Sequence, residues 1–222
     1  MTRAEPASQS PSDAAVAHGI KVIDVDTHLS EPLDLWTSRA TPKYRDRVPQ
    51  MRMLDGKRVW TIDGNRSMGV GSASSVIYRD GRKAAGIEFS EWQVDQVHPG
   101  CSQTKERLEF MDDNDIWAQI IYPNVLGFAG QGRSPMGAPR REPVDADLRL
   151  VSTQIYNDAM AEIQAETGGR ILPMALVPWW KIDDCAGEVA RAKSLELRGI
   201  VMCSDPDSIG LPDLGDDRWT PF

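Results

Sequence analysis

The sequence is poor in the residues that build histidine-rich or disulfide-rich sites. It has three histidines and three cysteines among 222 residues. The cysteines, Cys101, Cys185 and Cys203, are odd in number and far apart, so they predict neither a disulfide framework nor a zinc knuckle. Each cysteine is expected to be a small, partly buried apolar residue.

Long apolar runs and basic clusters are also missing. No apolar stretch approaches the ~20 residues that a membrane span needs, and the first 18 residues lack the basic start and apolar centre of a signal peptide. The net charge is −8, whereas a phosphate-binding surface needs clustered Lys and Arg. We therefore expect a cytoplasmic protein with no nucleic-acid or membrane partner, in which a disordered tail at 1–19 precedes one domain at 20–222.

Apolar strands alternate with amphipathic helices along most of the chain. The pattern predicts strands at about 20–26, 117–122, 171–177 and 199–203, and helices at 104–114, 145–166 and 182–195. This alternation indicates an α/β fold with parallel βαβ units and helices on the sheet. Four strands and three helices are half of a (β/α)8 barrel, and they are also most of a small doubly wound sheet.

A long insertion at about 29–103 separates the first strand from the first helix. It contains one clear hairpin signal, in which Met51–Leu54 and Lys57–Ile62 flank the turn dipeptide Asp55-Gly56. Because the insertion directly follows a strand that ends in polar side chains, it is either a cover for a site or a surface embellishment.

The polar residues at the end of the first strand are the strongest functional signal. Asp26 and His28 are two residues apart, so in a regular strand they point to the same face, and Asp24 shares it. Carboxylate oxygen and imidazole nitrogen are ligands for zinc and for harder divalent metals. The alternative is a strand-end turn in which Asp26 caps backbone amides.

The segment Val22–Pro32, with the pattern Asp-x-Asp-x-His-x-x-Glu-Pro, resembles the opening of amidohydrolase-related proteins. This is the amidohydrolase 2 group, which includes aromatic-acid decarboxylases. Six later segments agree with the resemblance: Arg107–Asp112, Ile121–Pro123, Tyr156–Asp158, Arg170–Pro178, Leu197–Ile200 and Leu214–Trp219. The ordered set covers nearly all of 20–222.

The resemblance implies a (β/α)8 TIM barrel, of which this chain has roughly the first four βα units. It implies a hydrolase of C–N, ester or lactone bonds, or a decarboxylase, that acts on a small carboxylated or aromatic compound. The first-strand ligands of zinc or manganese carry over onto Asp26 and His28. The later ligands of the family, a histidine from about the fifth strand and an aspartate from the eighth, have no counterpart, since no histidine follows His98. The sequence thus resembles the amino-terminal half of an enzyme, and whether this chain binds metal or is active is left open.

Four residues that follow strands or the ligand pair are candidate substrate contacts: Glu31, Tyr122, Asn124 and Trp179. The alternatives are a solvated loop charge for Glu31, an ordinary strand exit for Tyr122 and Asn124, and packing for Trp179.

The sequence also allows two other functions. One is a catalytically inactive half-barrel that acts as a binding or interaction protein. The other is a haloacid-dehalogenase-like phosphatase, because Asp24–Thr27 resembles the nucleophile motif of that family and Gly215–Asp217 its late magnesium motif. A half-barrel also leaves two strand edges unpaired, which predicts poor solubility or a homodimer.

Overall fold

The computed structural model describes most of the chain beyond its amino-terminal tail. The described residues are 19–68, 75–86, 88–126, 144–202, 206–207 and 210–222. The predicted tail lies outside these ranges except for Gly19, as does the predicted end of the fourth strand at Cys203. Within the described ranges, no helix has the length and apolar character to cross a membrane.

A four-stranded parallel sheet forms the centre of the fold. Its strands, in spatial order, are β1 (Val22–His28), β5 (Ile116–Tyr122), β6 (Ile171–Leu176) and β7 (Gly199–Val201). The helices are α1 (Thr104–Asp113), α2 (Ala146–Glu166) and α3 (Ile182–Ser194). The predicted order of elements is confirmed, although β1 lies two residues later than predicted, so that Asp26 and His28 belong to the strand itself.

The order of the strands in space follows their order in the chain. A barrel is built in this way, because each new βα unit adds its strand to the same side of the sheet. A doubly wound sheet instead places its first strand in the interior of the sheet. The parallel sheet therefore corresponds to part of a barrel.

The insertion carries a small antiparallel sheet of β2 (Gln50–Leu54), β3 (Lys57–Ile62) and β4 (Arg66–Ser67). The predicted hairpin is confirmed, since Asp55 and Gly56 have φ of 50° and 77° between β2 and β3, as a type I′ turn requires. Trp60 of β3 packs edge-on against Trp36 with ring centres 5.4 Å apart. The Trp36 indole donates a 2.9 Å hydrogen bond to the Ser152 carbonyl of α2, so the insertion is packed against the helix layer.

The two faces of the parallel sheet differ in what covers them. One face, called here the helix face, packs Ile121, Ile171 and Ala175 into a buried core with α2. Its α2 partners are Leu148, Ile155, Tyr156, Ala159, Met160 and Ile163. This layered core of sheet and amphipathic helix is the main apolar contact of the domain.

The other face, called here the open face, is defined by the strand register. Paired residues on neighbouring strands point to the same side, and the pairs on this side are Ile23–Ala118, His28–Tyr122, Ile120–Leu172, Met174–Gly199 and Leu176–Val201. Most of these side chains are half-buried, and Ile23 is 46% exposed. In a closed barrel this face would be the interior.

The alternation of side chains in β1 is interrupted by two register shifts against β5, one between Val22 and Ile23 and one between Asp24 and Thr27. Asp24 pairs with Gln119 and Thr27 with Ile121, so three steps along β1 match two along β5. Gln119 lies on the helix face, because it pairs with Ile171, and its Nε2 donates a 2.9 Å hydrogen bond to Asp24 Oδ2. The prediction that Asp24 shares a face with His28 is wrong, because the extra residue in β1 acts as a bulge and turns the strand.

Candidate functional site

Asp26 and His28 lie at the carboxyl end of β1. His28 is half-buried and pairs with Tyr122 at the end of β5, with ring centres 6.3 Å apart. Burial lowers the pKa of His28, while the backbone of Tyr122 and the charge of Asp26 oppose that shift. A neutral imidazole is the form that binds a metal ion. The pair therefore presents one carboxylate and one imidazole at the edge formed by the carboxyl ends of the parallel strands, called here the mouth of the sheet.

Arg107 of α1 supports the end of β1 from the helix side. Arg107 is 8% exposed, and its Nη2 donates a hydrogen bond to the backbone carbonyl of His28. Burial lowers the pKa of Arg107, and the neighbouring Cys101 thiol and the Asp24 carboxylate oppose the shift. The sequence contained a signal for this role, since Arg107 lies four residues before the buried Met111, on the same face of the helix.

Glu31 is a buried carboxyl group that joins two loops. It is 2% exposed, and its Oε1 accepts hydrogen bonds of 2.9 Å from the backbone N–H groups of Asn124 and Val125. Burial raises the pKa of Glu31 to about 7, and the hydrogen bonds from the backbone oppose that shift. The interpretation as a solvated loop charge is wrong, because the group ties the end of β1 to the end of β5.

The groups around Glu31 are also buried. Glu31 Oε2 has no hydrogen-bond partner among the described residues. Burial, followed by the charge of Glu31, raises the pKa of the Tyr156 phenol of α2 well above its usual value. Asn124 is 4% exposed. The substrate roles of Glu31, Tyr122 and Asn124 stay predictions, and the geometry shows what holds these residues at the mouth.

Trp179 lies beyond the end of β6 in a separate apolar cluster. It is 2% exposed and packs with Cys185 and Trp219, and its ring is edge-on to Trp180 at 5.6 Å. The Arg149 guanidinium lies 3.6 Å from the ring centre of Trp180, a cation–π contact. These contacts favour packing for Trp179, and its substrate role stays a prediction.

Two donors at the end of β1 match the kind of metal that the resemblance implies. The donor types of Asp26 and His28 suit zinc or manganese. In the part of the chain that the structure describes, however, no group of three His, Cys, Asp or Glu side chains could hold a metal ion. A catalytic zinc has three protein ligands and an open position, so the donors fit the metal in kind and fall short in number.

The aspartates of the phosphatase-like motifs have structural partners. Asp24 accepts a hydrogen bond from Gln119. Asp216 caps the short helix Asp217–Trp219, and its Oδ1 accepts a 2.9 Å hydrogen bond from the Arg218 backbone. The Arg218 side chain and backbone lower the pKa of Asp216 to about 2. Together with the sequential strand order, these contacts favour the barrel over the phosphatase.

Comparisons with known proteins give structural matches only. No family model matches the sequence, and no curated protein matches it. The fold is similar to that of an amidohydrolase from Mycobacterium avium subsp. paratuberculosis K-10, with 19% sequence identity, a TM-score of 0.57, and coverage of 90% of this chain and 55% of that one.

Two further structures are matched at lower TM-scores. A 2,6-dihydroxybenzoate decarboxylase from Rhizobium has 15% identity, a TM-score of 0.45, and coverage of 90% of this chain and 45% of that one. IDCase from Metarhizium anisopliae has 14% identity, a TM-score of 0.47, and coverage of 86% and 44%. The chain thus spans about half the length of the structures that it matches. The amidohydrolase match confirms the predicted fold class.

Proposed function

We propose that this chain supplies the first-strand ligand pair of a divalent-metal site in an amidohydrolase-related enzyme. The enzyme would hydrolyse a C–N, ester or lactone bond, or decarboxylate, a small carboxylated or aromatic compound. One observation carries the proposal: Asp26 and a His28 of lowered pKa lie together at the carboxyl end of the first strand of a barrel-type sheet.

Zinc or manganese, when bound, would polarise a substrate carboxylate or lower the pKa of water. The residues of this chain would prepare that site. Burial favours the neutral, metal-binding form of His28, Arg107 holds its backbone carbonyl, and Glu31 fixes the neighbouring loop. The remaining ligands would come from outside the described residues of a single copy.

Metal titration of the purified chain tests the proposal. Zinc and manganese uptake is measured by isothermal calorimetry and by mass spectrometry of the eluted metal. His28→Ala and Asp26→Ala should each weaken uptake at least about tenfold. His18→Ala, which removes a histidine from the amino-terminal tail, is the matched control and should leave uptake unchanged. Less than about a tenth of an equivalent of metal in the wild type, at saturating metal, would contradict the proposal.

Turnover is measured on panels of amides, esters, lactones and aromatic acids. Released CO2 distinguishes decarboxylation from hydrolysis, which consumes water and releases an acid. Activity that disappears in His28→Ala and persists in His18→Ala would support the proposal. Activity retained in His28→Ala would show that the ligand pair is not required.

A second candidate is a binding or interaction protein without catalytic activity. The observation that favours it is the lack of a third metal donor among the described residues. A folded chain that takes up no metal and turns over none of the panel would support this second function.

A further inference from the structure

We propose that two copies of this chain close one eight-stranded barrel, in which β1 of each copy pairs with β7 of the other. The closure would place the Asp26 and His28 side chains of both copies at the same mouth. The metal site would then be incomplete in one copy and complete in the dimer.

The edges of the parallel sheet favour this closure. Among the described strands, β1 pairs with β5 alone and β7 with β6 alone, and all pairings are parallel. Within the described residues, one edge of β1 and one edge of β7 are therefore unpaired in each copy. A twofold axis along the barrel axis would bring β1 of one copy beside β7 of the other, in parallel. This would happen at both junctions between the copies, called here the seams. Such a closure removes every free edge, as barrels do.

The open face has apolar side chains that a second copy could cover. Ile23 is 46% exposed. Of the other apolar side chains on this face, Ile120, Leu172 and Met174 are half-buried. Val201 is half-buried and packs against the main core, and Ala118 and Leu176 are buried. Transfer of this apolar surface from water into a barrel interior is favourable. A second copy would bring a matching apolar face to the other side of that interior.

The strand count agrees with this closure. A (β/α)8 barrel has eight parallel strands, and the described sheet of one copy has four. Two such sheets together provide eight strands, and the two edges of one copy are complementary to those of the other by symmetry.

The dimer has a consequence for the ligand pair. Parallel pairing at both seams would turn the carboxyl ends of all eight strands to one side of the barrel. Two carboxylates and two imidazoles would then face one mouth, which meets the usual requirement for a metal site. The metal part of this inference rests on the proposed function, whereas the dimer itself does not.

Molar mass in solution tests the dimer. Light scattering on a sizing column and sedimentation velocity should give twice the 24.6 kDa of one chain. Ile23→Lys should raise the dissociation constant of the dimer at least about hundredfold, because it would place a charge in the apolar interior of the barrel. Met53→Lys is the matched control, since Met53 is 61% exposed on β2, outside the parallel sheet, and its dimer should persist.

Hydrogen exchange keeps the proposal testable if Ile23→Lys does not fold. In the wild type, amides of β1 and β7 should become more protected as the protein concentration rises, while those of β2 should not change. A monodisperse monomer that melts cooperatively at high micromolar concentration would overturn the proposal. So would a dimer in which β1 and β7 gain no protection.

A metal titration separates this inference from the proposed function. Asp26→Ala should remain a dimer and lose metal, whereas a folded Ile23→Lys monomer should lose metal although it retains both ligands. An Ile23→Lys monomer that binds metal as tightly as the wild type would overturn the shared site. A wild-type dimer that binds no metal would support the closure and contradict the proposed function.

Discussion

The Glu31 side chain accepts a 2.9 Å hydrogen bond from the backbone N–H of Asn124. Both residues are buried, at 2% and 4% exposure. The bond joins the loops that follow the first two strands of the parallel sheet, directly beside the candidate ligand pair. The protonation state of one buried carboxyl group therefore bears on the stability of this end of the sheet.

We predict that stability depends on pH through Glu31. Burial raises the pKa of Glu31 from 4.5 to about 7, so between these values the folded state retains a proton that the unfolded state releases. The contribution of Glu31 to the free energy of unfolding therefore falls as the pH rises through this window. Above it, the loss is about 3 kcal/mol.

The Glu31→Gln variant tests this dependence. Glutamine resembles the protonated carboxyl group, and its oxygen can still accept from Asn124 and Val125. Urea unfolding is followed between pH 4 and pH 8, and the variant should gain about 3 kcal/mol relative to the wild type across that range. The exposed Glu166→Gln is the control and should give a profile parallel to the wild type. Parallel profiles for Glu31→Gln would contradict the prediction.

Asn157 of α2 is predicted to be a large contributor to stability. Its side chain is fully buried, accepts a 2.9 Å hydrogen bond from the backbone N–H of Leu176, and donates to the Leu176 carbonyl and to Glu188. Asn157→Ala leaves these groups without their partner, so the free energy of unfolding should fall by about 3 kcal/mol.

The matched control for Asn157 is Asn114, which is exposed and makes one 2.8 Å hydrogen bond to the Phe110 carbonyl. Asn114→Ala should cost less than about 1 kcal/mol. Both variants are compared by urea unfolding. Equal losses in the free energy of unfolding would contradict the prediction that the buried hydrogen bonds of Asn157 contribute more than the exposed one of Asn114.

Two glycines should respond to alanine in opposite directions. Gly187 lies inside α3, where an added Cβ meets no atom within 4 Å, so Gly187→Ala should raise stability by about 0.5–1 kcal/mol. Gly56 has φ of 77° in the hairpin turn, so Gly56→Ala should lower stability by about 1 kcal/mol. Thermal unfolding of the two variants measures both effects, and changes of the same sign would contradict the prediction.

The secondary structure was predictable because its signals are local. Each signal is contained in a short segment of the sequence. Examples are the apolar stripe of α2, the hairpin dipeptide Asp55-Gly56 and the strand at 171–177. Each was found within one or two residues of its predicted place. The strand order was not predictable to the same degree, since the same alternation fits both a barrel and a doubly wound sheet.

The site was predictable only in part. Asp26 and His28 were identified from their spacing and from the resemblance, and their position at the end of β1 agrees with that prediction. The face of Asp24 was predicted wrongly, because a register shift against β5 is invisible in the sequence of β1. The support that Arg107 gives to His28 was missed for a related reason, as it joins residues 79 positions apart.

The sequence by itself determined the alternation of strands and helices and the carboxylate–imidazole pair at the end of the first strand. These follow from residue types and short spacings, which are local in the sequence. Tertiary structure decided that Glu31 is buried, that Asp24 faces the helices and that, among the described residues, most side chains on the other face of the sheet are half-buried. Glu31 and Asn124 are 93 residues apart, and no pattern within either segment specifies the hydrogen bond that folding creates between them.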